Sequence, residues 1–140
     1  MQKDRKLLEG KIALITGGGR GIGKSVALAF AVEGADIVIT ARTDEQLKAV
    51  ADEIKSLGRT CVTVAADISD DNNVERVFKH TFDNFGRVDI LVNNAGIAID
   101  GPFSEMKMED WDQTLNVNLR GAALCAKIAL CDMLKRGEGV

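Results

Sequence analysis

Tyrosine is absent from this 140-residue chain, and histidine, tryptophan and proline occur once each. No phenol is present to donate or take a proton. The lone histidine, His80, stands beside Phe78 and Phe82 with no partner motif in view, which excludes a histidine pair and leaves it as an expected surface or half-buried helix residue. The three cysteines, Cys61, Cys125 and Cys131, are odd in number and lack C-x-x-C or zinc-ligand spacing. They indicate neither a disulfide framework nor a metal site, and are expected to be small core residues. Lys and Arg total 18 against 21 Asp and Glu, and the net charge of -3 speaks against a general nucleic-acid or membrane-surface binder. No apolar run approaches a membrane span, and Met1 to Lys6 is polar, with no charged-then-apolar leader. A small-molecule partner and a cytoplasmic setting are therefore expected. No internal repeat, low-complexity tract or linker interrupts the chain, so residues 1–140, 46% hydrophobic, are expected to form one domain with a substantial core.

What the chain does have is a glycine cluster, Thr16-Gly17-Gly18-Gly19-Arg20-Gly21-Ile22-Gly23, directly after an apolar run, Ile12 to Ile15, and before a helical pattern. A turn from strand to helix presents free backbone N–H groups and the positive end of the helix dipole to whatever lies above it, which suits an anion. Gly17, Gly21 and Gly23 divide the work of such a turn: a sharp bend, close approach of backbone to a pyrophosphate, and close packing of helix on strand. The same letters also satisfy the G-x-x-x-x-G-K-[ST] spacing of a P-loop through Gly18, Gly23, Lys24 and Ser25, with Asp67 as a carboxylate for magnesium. Arg42, Asn93-Asn94-Ala95-Gly96 and Asn118 weigh against that nucleotidase alternative.

Four β-rich runs, Lys11 to Thr16, Asp36 to Thr40, Thr60 to Ala65 and Val88 to Asn93, alternate with helical patterns, which implies right-handed βαβ units and a parallel sheet. Leu47, Val50, Ala51, Ile54 and Leu57 form the stripe of the second helix, with Thr43 and Gln46 as a capping box and Gly58 as a stop. Ser69 is the expected cap of the third, whose stripe runs from Val74 to Phe85 before Gly86. After a turn at Asp100-Gly101-Pro102, a long helix is expected from about Glu109 to Arg136. Helical spacing puts Trp111, Leu115, Asn118, Ala122 and Ala126 on its inner face and Asn116 on the surface. An Asn in such a stripe has hydrogen-bonding demands that must be met or used.

In order and interval these residues resemble the short-chain dehydrogenase/reductase family, including its 3-oxoacyl-ACP-reductase-like members. The matches are Thr16 to Gly23 for TGxxxGIG, Asp67, Asn93 to Gly96 for NNAG, and Asn118 in Asn116-Val117-Asn118-Leu119. The resemblance implies that Gly17, Gly19, Arg20, Gly21, Ile22 and Gly23 cradle a dinucleotide. It further implies that Asp67 and Ile68 contact adenine and that Asn94, Ala95 and Gly96 support the strand end beside the ribose. The expected fold is α/β, a Rossmann-like doubly wound parallel sheet of strand order 3-2-1-4 with helices on both faces, stopping before a fifth strand. Ligands of such sheets lie beyond the carboxyl ends of the strands, where all these segments fall.

Cofactor preference follows from charge at the end of the second strand, where ribose is recognised. The run is Ile39-Thr40-Ala41-Arg42, without an acid, and Arg20 adds a second cation. Two guanidiniums suit a 2′-phosphate, so NADP is expected over NAD. The implied activity is NADP-dependent oxidation or reduction of a small alcohol or carbonyl, by a protein that forms homo-oligomers. The family's catalytic Ser and Tyr-x-x-x-Lys do not occur before Val140, and only Asn118, which the resemblance casts as holder of a relay water, is present. The chain alone is therefore expected to lack turnover, and a non-catalytic nucleotide-binding module is the alternative. The fourth strand and the long helix are expected to lack part of their cover, which favours self-association.

Overall fold

The computed structural model describes residues 6–140; the polar Met1–Arg5, the start of the expected 1–140 domain, lies outside the described residues. Four parallel strands, β1 (Ile12–Thr16), β2 (Asp36–Ala41), β3 (Cys61–Ala65) and β4 (Ile90–Val92), form one sheet in the order β3-β2-β1-β4. Helices α1 (Gly21–Val32), α2 (Asp44–Ser56) and α3 (Asp71–Phe85) make the crossovers, the α/β order expected from the sequence. Every residue of β1 is buried, as a strand covered on both faces must be. Alternation divides the core: Ala13, Ile15, Ile37 and Ile39 face α1 and α2, whereas Leu14 and Val38 face α3 and the final helices.

The caps differ in detail from the sequence expectation. Thr43 precedes α2 but makes no side-chain capping bond, so the Thr43/Gln46 box does not form. Gly58, at φ +77°, does end α2: its N–H donates to Lys55 O and the next N–H, of Arg59, to Ile54 O. At α3 the cap is Asp70, not Ser69; its carboxylate accepts from Asn72 N and Asn73 N, because Ser69 is already bonded to Asp67.

The long C-terminal helix is three segments in series: α4 (Met108–Leu115), a π-helical turn (Asn116–Gly121) and α5 (Ala122–Arg136). Its buried stripe is Val117, Gly121, Cys125, Ala129 and Met133, one residue away from the expected face. Trp111 and Leu115 are each 39% exposed, and Trp111 packs edge-on against Phe103. Leu119, Leu130 and Leu134 are exposed as well. Cys61 and Cys125 are buried as expected, but Cys131 lies on the exposed side of α5.

At the amino ends of the strands, the buried carboxylate of Asp89 accepts from Ile12 N, Arg87 Nε and Arg136 Nη1, joining β1, β4 and α5. Burial alone would raise this carboxyl, but the Ile12 amide and the two guanidiniums outweigh it and hold it below the usual range. Val140 runs along the outer edge of β4, its N–H donating to Asp89 O and its carbonyl accepting from Leu91 N, so the edge expected to be bare carries some pairing.

Candidate functional site

At the opposite, carboxyl end of the sheet a cleft of about 400 Å³ opens between the loops that follow β1, β2, β3 and β4. A volume of this size is in the range of ligand pockets. Its floor is the glycine turn. Gly17 sits at φ +67°, a left-handed conformation that a side chain would strain. A Cβ on Gly23 would lie 2.1 Å from Gly17 O, and one on Gly18 2.5 Å from Ile39 Cγ2. The turn thus rests flush on α1 below and β2 beside it, and Gly18 N–H donates to Thr40 O at 3.2 Å. Arg20, in extended backbone, precedes α1 without a side-chain capping bond, and no acidic residue lies in the first turn. The leading N–H groups of α1 are left for an anion.

Thr16 and Asn94 hold the turn from the β4 side. The Thr16 hydroxyl accepts from Asn94 N and Ala95 N, both at 3.0 Å, and Asn94 Nδ2 donates to Thr16 O at 2.9 Å and Gly17 O at 3.2 Å. Asn93 reaches the other way, Nδ2 donating to Ala122 O. Asp67 Oδ1 accepts from both the backbone N and the hydroxyl of Ser69, which folds the β3–α3 connection around the cleft.

Gly17, Gly19, Arg20, Gly21, Ile22, Arg42, Asp67, Ile68, Asn94, Ala95 and Gly96 all line this one cleft. Gly23 lies beneath it. Arg20 and Arg42 are exposed at its rim, while the arginine ion pairs among the described residues engage Arg59, Arg87, Arg120 and Arg136 instead. Lys24, the lysine of the P-loop alternative, pairs with Glu53 of α2 at 2.7 Å, and Ser25 Oγ donates to Gly21 O; neither lines the cleft. Among the described residues no group of three His, Cys, Asp or Glu is placed to hold a metal.

Asn118 is exposed by area, unlike the buried Asn expected in an apolar stripe, yet it is firmly placed: Oδ1 accepts from Ile97 N and Nδ2 donates to Ile97 O, both at 2.8 Å. The side-chain amide imitates a neighbouring strand and clamps the chain that leaves β4. It retains one N–H and one lone pair for a further partner. Sequence reasoning assigned no place in the site to Thr16, Ile97 or Val117 and read Gln46 only as part of a helix cap; all but Thr16 line the cleft. Thr16 carried a usable signal, since a hydroxyl at the buried end of a strand must find partners; the other three carried none.

The glycine spacing permits a dinucleotide cradle, and the residues present fit one: close contacts that leave no room for a Cβ, open helix N–H groups, and two rim cations. The family model for short chain dehydrogenase matches residues 11–140. A 3-oxoacyl-[acyl-carrier-protein] reductase from Synechocystis is 41% identical over 133 residues, covering 94% of this chain and 54% of that protein. A short chain dehydrogenase from Burkholderia cenocepacia, solved in complex with NADP, superposes with a TM-score of 0.86 at 40% identity, over 89% of this chain and 51% of the other. An NAD+-bound xylitol dehydrogenase superposes with a TM-score of 0.91 at 27% identity, over 96% and 52%. The chain spans about half the length of the curated relatives it matches.

Proposed function

The chain belongs to the short chain dehydrogenase family, and from that membership we propose that it forms the nucleotide-binding part of an NADP-dependent oxidoreductase acting on a small alcohol or carbonyl. The observation that carries this reading is the cleft itself, where uncapped N–H groups of α1 meet Arg20 and Arg42 at one rim. Gly17, Gly19, Gly21, Ile22 and Gly23 hold the diphosphate through backbone. Arg20 and Arg42 grip the 2′-phosphate by charge-assisted bonds. Asp67 and Ile68 meet adenine, and Asn94 to Gly96 flank the ribose. No acid at the end of β2 favours NAD.

A reduced nicotinamide held in this cleft would supply hydride chemistry toward a carbonyl carbon. Asn118 orders the β4 exit through Ile97 and keeps a free N–H and lone pair with which to hold a water for proton transfer. The proton donor itself is not in these residues, which contain no tyrosine. Without a group tuned to exchange that proton, roughly 10²–10⁴-fold of rate is forgone, so the 140 residues alone bind nucleotide without turnover. The same proposal makes the whole protein a cytoplasmic homo-oligomer, a reading supported by the exposure of Leu119, Leu130 and Leu134, which offer an apolar surface to another copy. Among the described residues no helix is long and apolar enough to cross a membrane.

Calorimetric titration with NADPH, NAD and ATP-magnesium tests the assignment. NADPH should bind most tightly; binding of ATP-magnesium with no NADPH binding would remove it and return the P-loop alternative.

A further inference from the structure

The π-helical turn Asn116–Gly121 is tied to its surroundings at four points. Asn118 bonds both backbone groups of Ile97, Asn93 Nδ2 donates to Ala122 O just beyond the turn, and a Cβ on Gly121 would lie 2.5 Å from Ile68 O. The fourth tie is an ion pair: Arg120 Nη2 donates to Asp71 Oδ2 at 2.8 Å, and Nη1 bonds Oδ1. Asp71 is the first residue of α3, directly after the loop that carries Asp67 and Ile68. The hydrogen bond and charge of Arg120 hold its carboxyl below the usual range.

A π turn leaves the regular ladder of an α-helix, so its position depends on such outside contacts. Gly121 can press on Ile68 only while something keeps the two backbones together, and among the described residues Arg120–Asp71 is the one side-chain bond that spans from this turn to α3. We infer that Arg120 is a positioning residue: through Asp71 it seats the π turn on the Asp67–Ile68 loop, so that this wall of the cleft and the Ile97–Asn118 wall keep their spacing as one unit. The inference rests on the nucleotide-binding reading only for its consequence, which is that loosening one wall weakens a ligand gripping both.

Amide hydrogen exchange on the full chain tests the linkage in the absence of any nucleotide, in Arg120→Met, Arg120→Lys and Asp71→Asn. Neither Arg120 nor Asp71 bonds to Ile97, so a purely local ion pair would change exchange only near residues 68–71 and 120. The linkage instead requires Arg120→Met and Asp71→Asn to speed exchange of the Ile97 N–H by about 3-fold, the size of an exposed bidentate pair, with the β1 amides unchanged. Arg120→Lys should recover most of the protection. An unchanged Ile97 amide overturns the inference, and so does a uniform rise that includes β1, which would mean global loosening. In NADPH titrations the Met variant should bind about 3-fold more weakly. A wild-type chain that binds no NADPH would sink the function assigned above while the exchange data still decide the linkage.

Discussion

Replacing Thr16 by Val deletes one hydroxyl and almost nothing else. That oxygen accepts two backbone N–H groups, from Asn94 and Ala95 at 3.0 Å each, in a residue that is 1% exposed. A buried amide stripped of its acceptor costs about 1–3 kcal/mol. Asn94 and Ala95 are half-buried, so one of the two amides can turn to water, and the net loss should be that of a single stripped amide, about 1–3 kcal/mol. With a urea slope of roughly 1–3 kcal/mol per molar, the unfolding midpoint should fall by about 1 M. Thr16→Ser keeps the oxygen and loses one methyl, about 0.8 kcal/mol. The same amides build the cleft wall beside Gly17, so Val should weaken NADPH by about 10-fold, worth roughly 1.4 kcal/mol, and Ser by far less. Urea denaturation followed by fluorescence of Trp111, with NADPH titration in parallel, measures both effects. If Val proved as stable as Ser and bound NADPH as well, the hydroxyl would not be the fastener described here.

Gly23→Ala should abolish measurable NADPH binding and destabilise by about 1–3 kcal/mol, since the new methyl meets Gly17 O at 2.1 Å; Gly58→Ala, with nothing within 4 Å, is strained only by its φ of +77° and should leave binding intact. Calorimetry and thermal melting compare the two. Arg42→Asp should weaken NADPH by about 10-fold or more while sparing NADH, and an equal loss for both would refute the 2′-phosphate assignment. For Asp89 the folded carboxyl lies below its unfolded value, so its stabilisation is complete above about pH 4 and is lost as pH falls through the folded value. The urea midpoint should therefore drop in that acid window, and Asp89→Asn should lower the neutral plateau and flatten the acid limb. Burial pushes the Cys61 thiol up to about 12 and that of Cys125 to about 11, whereas Cys131 is exposed. A thiol reagent at pH 8 should thus label Cys131 alone until the chain is unfolded.

The sheet was legible in the sequence because each strand is an uninterrupted β-rich run between turn residues, and in β1 and β2 burial on both faces leaves no ambiguity about which side is core. The glycine turn was legible for a similar reason: its constraints act on backbone, and glycine is the residue that answers them. The C-terminal helix was misread by one position because its register was anchored on its largest apolar residues, Trp111 and Leu115. Those face outward, while the inner stripe is made of small or slender residues, Gly121, Cys125 and Ala129, that let the helix lie close to the sheet. Composition could not reveal a surface that keeps its bulk for the outside. The Ser69 cap failed by competition: Ser69 is bonded to Asp67 two residues earlier, and Asp70 caps the helix in its place.

Gly18 pressed against Ile39 has one more effect. On the nucleotide-binding reading, the span from the proposed diphosphate seat to the charged rim is set by Gly18, packed on the Ile39 side chain with its N–H bonded to Thr40 O, like the fixed jaw of a caliper, and not by the Arg20 and Arg42 side chains. Changing the reading heads leaves the gauge untouched. On that reading selectivity would be separable from architecture, and exchanging Arg20 or Arg42 should retune which nucleotide is preferred without re-engineering the scaffold that measures it.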